Sequence, residues 1–429
     1  MPKGKKNKGK FEHRRTEQPY SSDEDAGIDM TIDNCSETSG QSDLKSIHDD
    51  TDDMQEKLEE KVMEVIDALS ARSNAARAAA FTSLRSALQR RNLTTLLSNQ
   101  RATLADHVTK ALRRGKDGER RAAAAIAPLL ALQIGEEGTE EYVREVRPAL
   151  VAAATDKSAS IEARTECCSS LAVLCYLLEE DLTEIIEVMR MYETIFSGSY
   201  LKGDGSVKVS GAAVEAGALH AAALDGWALL LTLPPAAHAA ALLAAQPPGL
   251  ARLRDLLEAH SLEVRMAAGG ALAIAHECTS EPDASGDDAL IADLLPRLQE
   301  LARDSHKYRA KRDRKLQRAT FRDILKYFEE DEVPSLTIRV GSESVSCPSW
   351  GSRLAYGALA AALGAGLQTL APHSAALRAA LGLADVLPLD VPAVKLNKLQ
   401  RHLQNNAACK ARTVARNKNR DKRSAALAI

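Results

Sequence analysis

Apolar residues recur at helical spacing through most of the chain. In MQEKLEEKVMEVIDAL, which starts at Met54, the residues Met54, Leu58, Val62, Val65, Ile66 and Leu69 fall on one stripe. From there to about Phe328 the same period predicts one helix after another. A phrase also recurs: SNAARAAAFTSLRSAL, KDGERRAAAAIAPLLAL, SASIEARTECCSSLAVL and HSLEVRMAAGGALAIAHE. Each copy opens on a polar cap or turn residue, passes a charged residue and a stripe of small residues, and closes on leucine or an equivalent. Arg77, Arg121, Arg164 and Arg265 hold comparable places, with gaps of 44, 43 and 101 residues. The long gap leaves room for one more unit with an inserted loop. VSGAAVEAGALHAAALDGWALL fills that slot, and the glycine-rich SGSYLKGDGS is the loop.

Paired helices at a period of roughly 40–47 residues are the pattern of HEAT and armadillo arrays. One amphipathic pair cannot bury its apolar face alone, whereas stacked pairs can, and small residues let the backbones approach closely. The expected fold is therefore all-α: an armadillo/HEAT-like helical-repeat solenoid over residues 54–334. An irregular bundle of similar helices is the alternative. Breaks between helices are expected at Pro234-Pro235, at Pro247-Pro248 and along Glu281 to Asp288.

The pattern changes on both sides of this region. Residues 1–53 begin with a basic head and continue through SSDEDAGIDMTIDNCSETSGQSD, which has few large apolar residues. Such a stretch cannot bury enough surface to offset its chain entropy, so a disordered tail is expected. Ser21 and Ser22 precede Asp23, Glu24 and Asp25, which marks an acid-directed phosphorylation motif or an unmodified linker. Arg303 to Phe328 carries ten cations and three acids, with Leu316, Ala319, Phe321, Ile324, Leu325 and Phe328 as its apolar side. SLTIRVGSESVSCPSW then alternates Leu336, Ile338 and Val340 before a GSES turn, which predicts a hairpin capping the open end of the stack. Two more helices complete residues 335–394. Residues 395–429 form a last unit, a basic C-terminal helix and tail. In it Leu396, Leu399, Leu403 and Ala407 form a narrow row able to dock on the body.

Composition narrows the function classes. Alanine and leucine dominate, aromatics are 3% of the 429 residues, and the formal net charge is −3. Seven cysteines, irregularly spaced and without a C-x-x-C, suit reduced thiols and not a disulfide framework or zinc site. Cys168 and Cys175 stand at i, i+7, which is core spacing. The basic start has no apolar region behind it, so it is not a secretory signal. Asp225 interrupts the longest apolar stretch, around Ala221 to Leu233, so no membrane span is expected. No phosphate-binding loop, dinucleotide fingerprint, nucleophile elbow or H-E-x-x-H motif is present. Nothing calls for catalysis, a cofactor, a metal or a small-molecule substrate.

The strongest functional signal is charge. Lys395 to Arg423 holds ten Lys/Arg and one acid, Asp421, with no aromatic residue. A solvated face, a nuclear localisation signal and a nucleic-acid contact all fit, and the last two are compatible. The density favours nucleic acid. Lys395, Lys398, Arg401, Lys410, Arg412, Arg416, Lys418, Arg420, Lys422 and Arg423 are the candidate RNA contacts. Arg412, Arg416 and Arg420 follow at i, i+4, i+8, on one helical face. Without aromatics the segment cannot stack bases, so its contacts fall on phosphates and shape. Lys307, Arg309, Lys311, Arg312, Arg314, Lys315 and Arg318 form a second basic face. The acidic stretch 23–60 is long enough to screen either patch in the free protein.

FRDILKYFEEDEVPSLTIRVGSESV, SCPSW and LQRHLQNNAACKARTVARNKNRDKR together resemble the interferon-related developmental regulator family. The resemblance spans nearly the whole chain and is most specific at KAR-x-x-AR-x-K-x-RDKR. Val414 departs from it, standing where the family pattern tends to be basic. The resemblance implies a non-enzymatic protein with an armadillo-like fold and two activities. One is translational silencing on inactive ribosomes, with the C-terminal helix in space that tRNA and mRNA would use. The other is transcriptional co-regulation in the nucleus, with partner proteins held on the solenoid. Ribosomal RNA, nuclear regulatory proteins and a cytoplasmic and nuclear location follow as expectations. An importin-like adaptor fits less well, because the chain has only Trp227 and Trp350 to line repeats.

Overall fold

Small side chains decide how the helices meet. In a computed structural model, residues 46–245, 249–279, 288–303 and 310–384 are described, with most side chains from residue 57 onward. Helix α1 (Ser46–Ala68) begins within the stretch expected to be disordered. Its first turns are acidic, and negative charge suits a helix N-terminus. The described residues from Gln55 onward belong to one compact unit.

That unit is an all-α helical-repeat solenoid. After α2 (Asn74–Arg90) and the short α3 (Thr94–Leu97) come α4 (Arg101–Arg114), α5 (Asp117–Gln133), α6 (Glu136–Thr155), α7 (Ile161–Leu178) and α8 (Leu182–Phe196). The short α9 (Ala212–Glu215) leads to α10 (Gly217–Leu231), α11 (Ala236–Ala245), α12 (Leu250–Asp255), α13 (Leu262–Thr279), α14 (Asp288–Arg303) and α15 (Lys311–Glu330). In one row, α2, α5, α7, α10, α13 and α15 each pack on the next. A second row of α4, α6 and α8 covers one side of it. The rows share a continuous core of alanine and leucine. Gly226 shows how close the backbones come: a Cβ there would lie 3.0 Å from the Tyr192 ring and 3.1 Å from the Ala172 Cβ. Neither neighbour can easily yield, because Tyr192 is buried and its hydroxyl donates to the Cys168 carbonyl at 2.8 Å.

The repeat phase differs by one residue from the sequence reading. The position equivalent to Arg77, Arg164 and Arg265 in α5 is Arg120, not Arg121. In all four the backbone N–H closes the first turn, onto the carbonyls of Ser73, Lys116, Ser160 and Ser261. A step of one residue turns a helical side chain by about 100°. Arg121 therefore points outward, while Arg120 is buried and pairs with Asp156 at 2.9 Å. Three of these arginines tie their helix to the chain before it. Arg77 donates to the Ala71 carbonyl at 2.8 Å, Arg164 to Ala154 at 2.8 Å, and Arg265 to Ala259 at 2.7 Å. In α10 the place is taken by His220, whose Nδ1 lies 2.7 Å from the Ser199 hydroxyl beside the inserted loop. Burial, helped by the charges of Arg164 and Lys208, pushes His220 down to about 4, so it is neutral near pH 7.

Helix α15 buries much of the expected stripe, with Phe321 and Ile324 in the core and Leu325 and Phe328 packed against it, but departs from that stripe at the helix start. Gln317, Phe321, Ile324 and Tyr327 face the core, whereas Leu316 is 49% exposed. The buried guanidinium of Arg265 needs an acceptor, and Gln317 supplies it at 2.8 Å.

Beyond α15 the chain turns back. Strands β1 (Leu336–Val340) and β2 (Glu343–Cys347) form an antiparallel hairpin, with Leu336 opposite Cys347 and Val340 opposite Glu343. Helices α16 (Trp350–Leu363), α17 (Gly366–Leu370) and α18 (Ala375–Ala380) follow. The hairpin does not cap the end of the stack. It is tied to these helices: buried Arg378 grips Glu343 through two bonds of 2.9 and 3.0 Å, and Gln368 donates to the Arg339 carbonyl at 2.7 Å. Helix α16 lies across α5, α7, α10 and α13, as a third layer over the first row.

Both ends of α16 are held by the solenoid. Glu277 of α13 accepts the backbone N–H groups of Trp350 and Gly351 at 3.2 and 2.8 Å, beside a Ser349–Ser352 capping box. At the other end Arg85 and Gln89 of α2 donate to the carbonyls of Ala362 and Leu363, each at 3.1 Å. Negative charge at the start and positive charge at the end both favour the helix dipole. Replacing Glu277 by alanine should lower stability by about 1–3 kcal/mol and speed amide exchange at Trp350 and Gly351. Urea unfolding combined with hydrogen exchange checks this. Unchanged exchange at those two amides would remove Glu277 from that role.

Candidate functional site

Two features outside the packed core have the chemistry to bind something. The first is the start of α15. Lys311, Lys315, Arg318 and Arg322 follow at i, i+4, i+7, i+11 and so share one face, turned away from the buried stripe. Lys311, Arg312 and Lys315 are exposed, while Arg314 and Arg318 are half-buried. None of these five has an ion-pair partner among the described residues, unlike Lys326 farther along, which pairs with Glu332. Unpaired cations on one rigid face can meet phosphates without first breaking internal bridges. Lys307 and Arg309 of the same expected face lie outside the described residues. So do Lys395, Lys398, Arg401, Lys410, Arg412, Arg416, Lys418, Arg420, Lys422 and Arg423.

The second feature is a groove of about 750 Å³ between α16 and the row formed by α7, α10 and α13. Val173, Ala221, Ala267, Ile274, Leu354 and Ala358 make it largely apolar. Three carboxylates and one guanidinium line it: Glu166 of α7, Asp225 of α10, Glu263 of α13 and Arg353 of α16. Most are engaged. Glu166 is 3.8 Å from Arg121, Glu263 accepts from the Ser261 hydroxyl at 2.7 Å, and Arg353 donates to the Pro334 carbonyl at 2.6 Å. Asp225 has no hydrogen-bond or ion-pair partner among the described residues. It stays open to the water of the groove. Even so, desolvation by the surrounding apolar walls pushes it up to about 7. The acid that breaks the apolar run of α10 was visible in the sequence, but that it opens into a groove was not.

Three thiols of α7 are inert by position. Cys167, Cys168 and Cys175 are buried, and burial pushes Cys167 and Cys175 up to about 12 and Cys168 higher still. Among the described residues no cluster of His, Cys, Asp and Glu is placed to hold a metal, and no helix is long and apolar enough to cross a membrane.

Fold and surfaces thus define a helical-repeat protein whose chemistry lies in charge and grooves. The chain belongs to the interferon-related developmental regulator family, a regulatory family and not a known enzyme family. The family model matches residues 34–329, and a model of the interferon-related protein conserved region matches residues 375–424. The chain is 37% identical to interferon-related developmental regulator 2 of Mus musculus over 382 residues, covering 87% of this chain and 85% of that one. It is 35% identical to interferon-related developmental regulator 1 of Homo sapiens over 425 residues, covering 96% and 91%. The second matched region contains the candidate RNA contacts from Lys395 to Arg423.

Asp225 gives a stability test with a defined sign. Its folded pKa lies above the unfolded value, so ionisation favours the unfolded chain. The loss grows as pH rises from about 4 and is complete above about 7. Asp225→Asn should therefore stabilise the protein at pH 8, by about 1 kcal/mol after allowance for water reaching the groove. The gain should shrink towards pH 5 in chemical denaturation measured at both values.

Proposed function

We propose that this protein is a non-enzymatic ribosome-binding regulator that silences translation by placing its basic C-terminal segment against ribosomal RNA, where tRNA and mRNA would sit. The observation that carries this is the sequence of Lys395 to Arg423, ten cations against one acid, inside the stretch matched by the model of the interferon-related protein conserved region. Cations at that density without aromatics suit phosphates of folded RNA. The ion-pair-free face of α15 supports the same reading as a second contact, on a rigid helix anchored through Phe321 and Ile324. In this reading the solenoid performs no reaction. It is a stiff mount, and occupancy alone blocks the ribosome.

A second reading, a nuclear co-regulator scaffold that holds partner proteins on the solenoid, is favoured by the groove beneath α16. Because α16 to α18 already cover much of the first row, that groove is where a partner segment would find apolar surface. The first reading places the protein in the cytoplasm and the second in the nucleus.

Reversing Arg412, Arg416 and Arg420 to Glu should abolish co-sedimentation with ribosomes and leave the thermal melt almost unchanged. Persistent sedimentation would exclude the segment as the docking element. Reversing Lys311, Lys315 and Arg318 to Glu should weaken ribosome binding without abolishing it. It should also flatten the dependence of log K on log salt by about 0.7–0.9 for each phosphate no longer neutralised. An unchanged salt slope would show that this face of α15 does not touch RNA.

A further inference from the structure

Three glycines line the groove: Gly226 of α10, which Tyr192 and Ala172 press on, and two others, Gly270 of α13 and Gly357 of α16. Each lies inside a helix, where glycine is about 1 kcal/mol less favourable than alanine. Packing does not require either of the last two. A Cβ added at Gly270 or at Gly357 would meet no atom within 4 Å. Gly269, one residue earlier, is the contrast: its Cβ would lie 2.7 Å from Ile324 Cδ1 and 3.0 Å from the Phe321 ring. Gly269 is small because α15 presses on it, whereas Gly270 and Gly357 keep a space open. Into that space faces Asp225, an acid with no described partner in apolar surroundings.

We propose that the groove between α16 and the α7–α10–α13 row docks an amphipathic helix of a partner protein, whose apolar stripe carries one lysine or arginine that pairs with Asp225. This rests on the partner-scaffold reading and gives it a site and a recognition rule. The walls are helices, so the occupant that suits them is a helix laid in with anchors at i, i+3 or i+4, and i+7. Charge complementarity fixes its sign, because three carboxylates and one arginine line the groove and that arginine is already engaged. Burying an unpaired carboxylate under an apolar partner costs free energy, while a cation removes that cost and makes the contact selective.

The chain itself offers poorer occupants. Its C-terminal row of Leu396, Leu399 and Leu403, taken as a helix, carries Lys398 and Arg401 on the opposite face, and the cations in line with the row, Lys395 and Lys410, fall at its two ends and not at its centre. On a second copy, Leu316 is the one large apolar residue exposed among the α15 cations, a single anchor instead of a stripe.

The test is a displayed library of helical peptides of about fifteen residues, selected against the full chain. The apolar stripe is fixed and every residue is allowed at its centre. Lysine and arginine should be enriched at the centre, and the selected peptides should lose at least tenfold in affinity for Asp225→Asn and for Gly270→Leu. Gly357→Leu serves as the block from the other wall should Gly270→Leu not fold. Affinity should also fall between pH 8 and pH 6 as Asp225 takes up a proton, with Glu166, Glu263 and Arg353 as the other charged groups lining the groove. Peptides without a charge preference, or insensitive to the variants, overturn the groove assignment and leave the scaffold reading standing. A selection that enriches nothing overturns both. Two further results would overturn it by naming another occupant. One is a carbodiimide cross-link within one chain between Asp225 and a lysine of 395–422. The other is a dimer in light scattering that Gly270→Leu abolishes.

Discussion

The structure turns on how α16 is held. Its N-terminal amides rest on Glu277 of α13, and its C-terminal carbonyls on Arg85 and Gln89 of α2. The partners at its C-terminal end are 277 and 274 residues away in sequence, on the first helix of the row it crosses. One helix thus spans the repeats and links units that would otherwise touch only their neighbours. Repeat arrays tend to open unit by unit, because each interface is local. A strap across α5, α7, α10 and α13 works against that.

The same strap creates the second surface. Where α16 lies on the row with glycine and alanine, space remains between the layers, and Asp225 faces into it. Larger side chains at Gly270 and Gly357 would project into that space. The basic surfaces follow a different logic. On α15 the cations sit opposite a buried stripe of Gln317, Phe321, Ile324 and Tyr327. Burial on one side fixes the direction of charge on the other.

Much of this was legible in the sequence. The recurring small-residue phrase announced the row of α2, α5, α7, α10 and α13, and the long gap announced α10 with its inserted loop. Cys168 and Cys175 at core spacing are buried. The alternation of Leu336, Ile338 and Val340 is a strand in a hairpin. Besides the place of the hairpin, the errors were ones of phase. Arg121 and Arg120 are adjacent, and a charged pair at a helix start does not say which member turns inward. Leu316 looked apolar enough for the core, but a buried arginine two helices earlier in the chain recruited Gln317 instead.

Local chemistry is written in residue order, and so the sequence by itself determined the helices, their period, the hairpin and the cationic character of residues 303–326 and 395–423. Those depend on neighbours within a turn or two, where spacing is information enough. Tertiary structure alone decided that the chain turns back over its own repeats, that Glu277 and Arg85 hold the two ends of one distant helix, and that Asp225 faces a groove. Each of these brings together residues far apart in sequence, and no periodicity along a chain encodes which of its faces will meet.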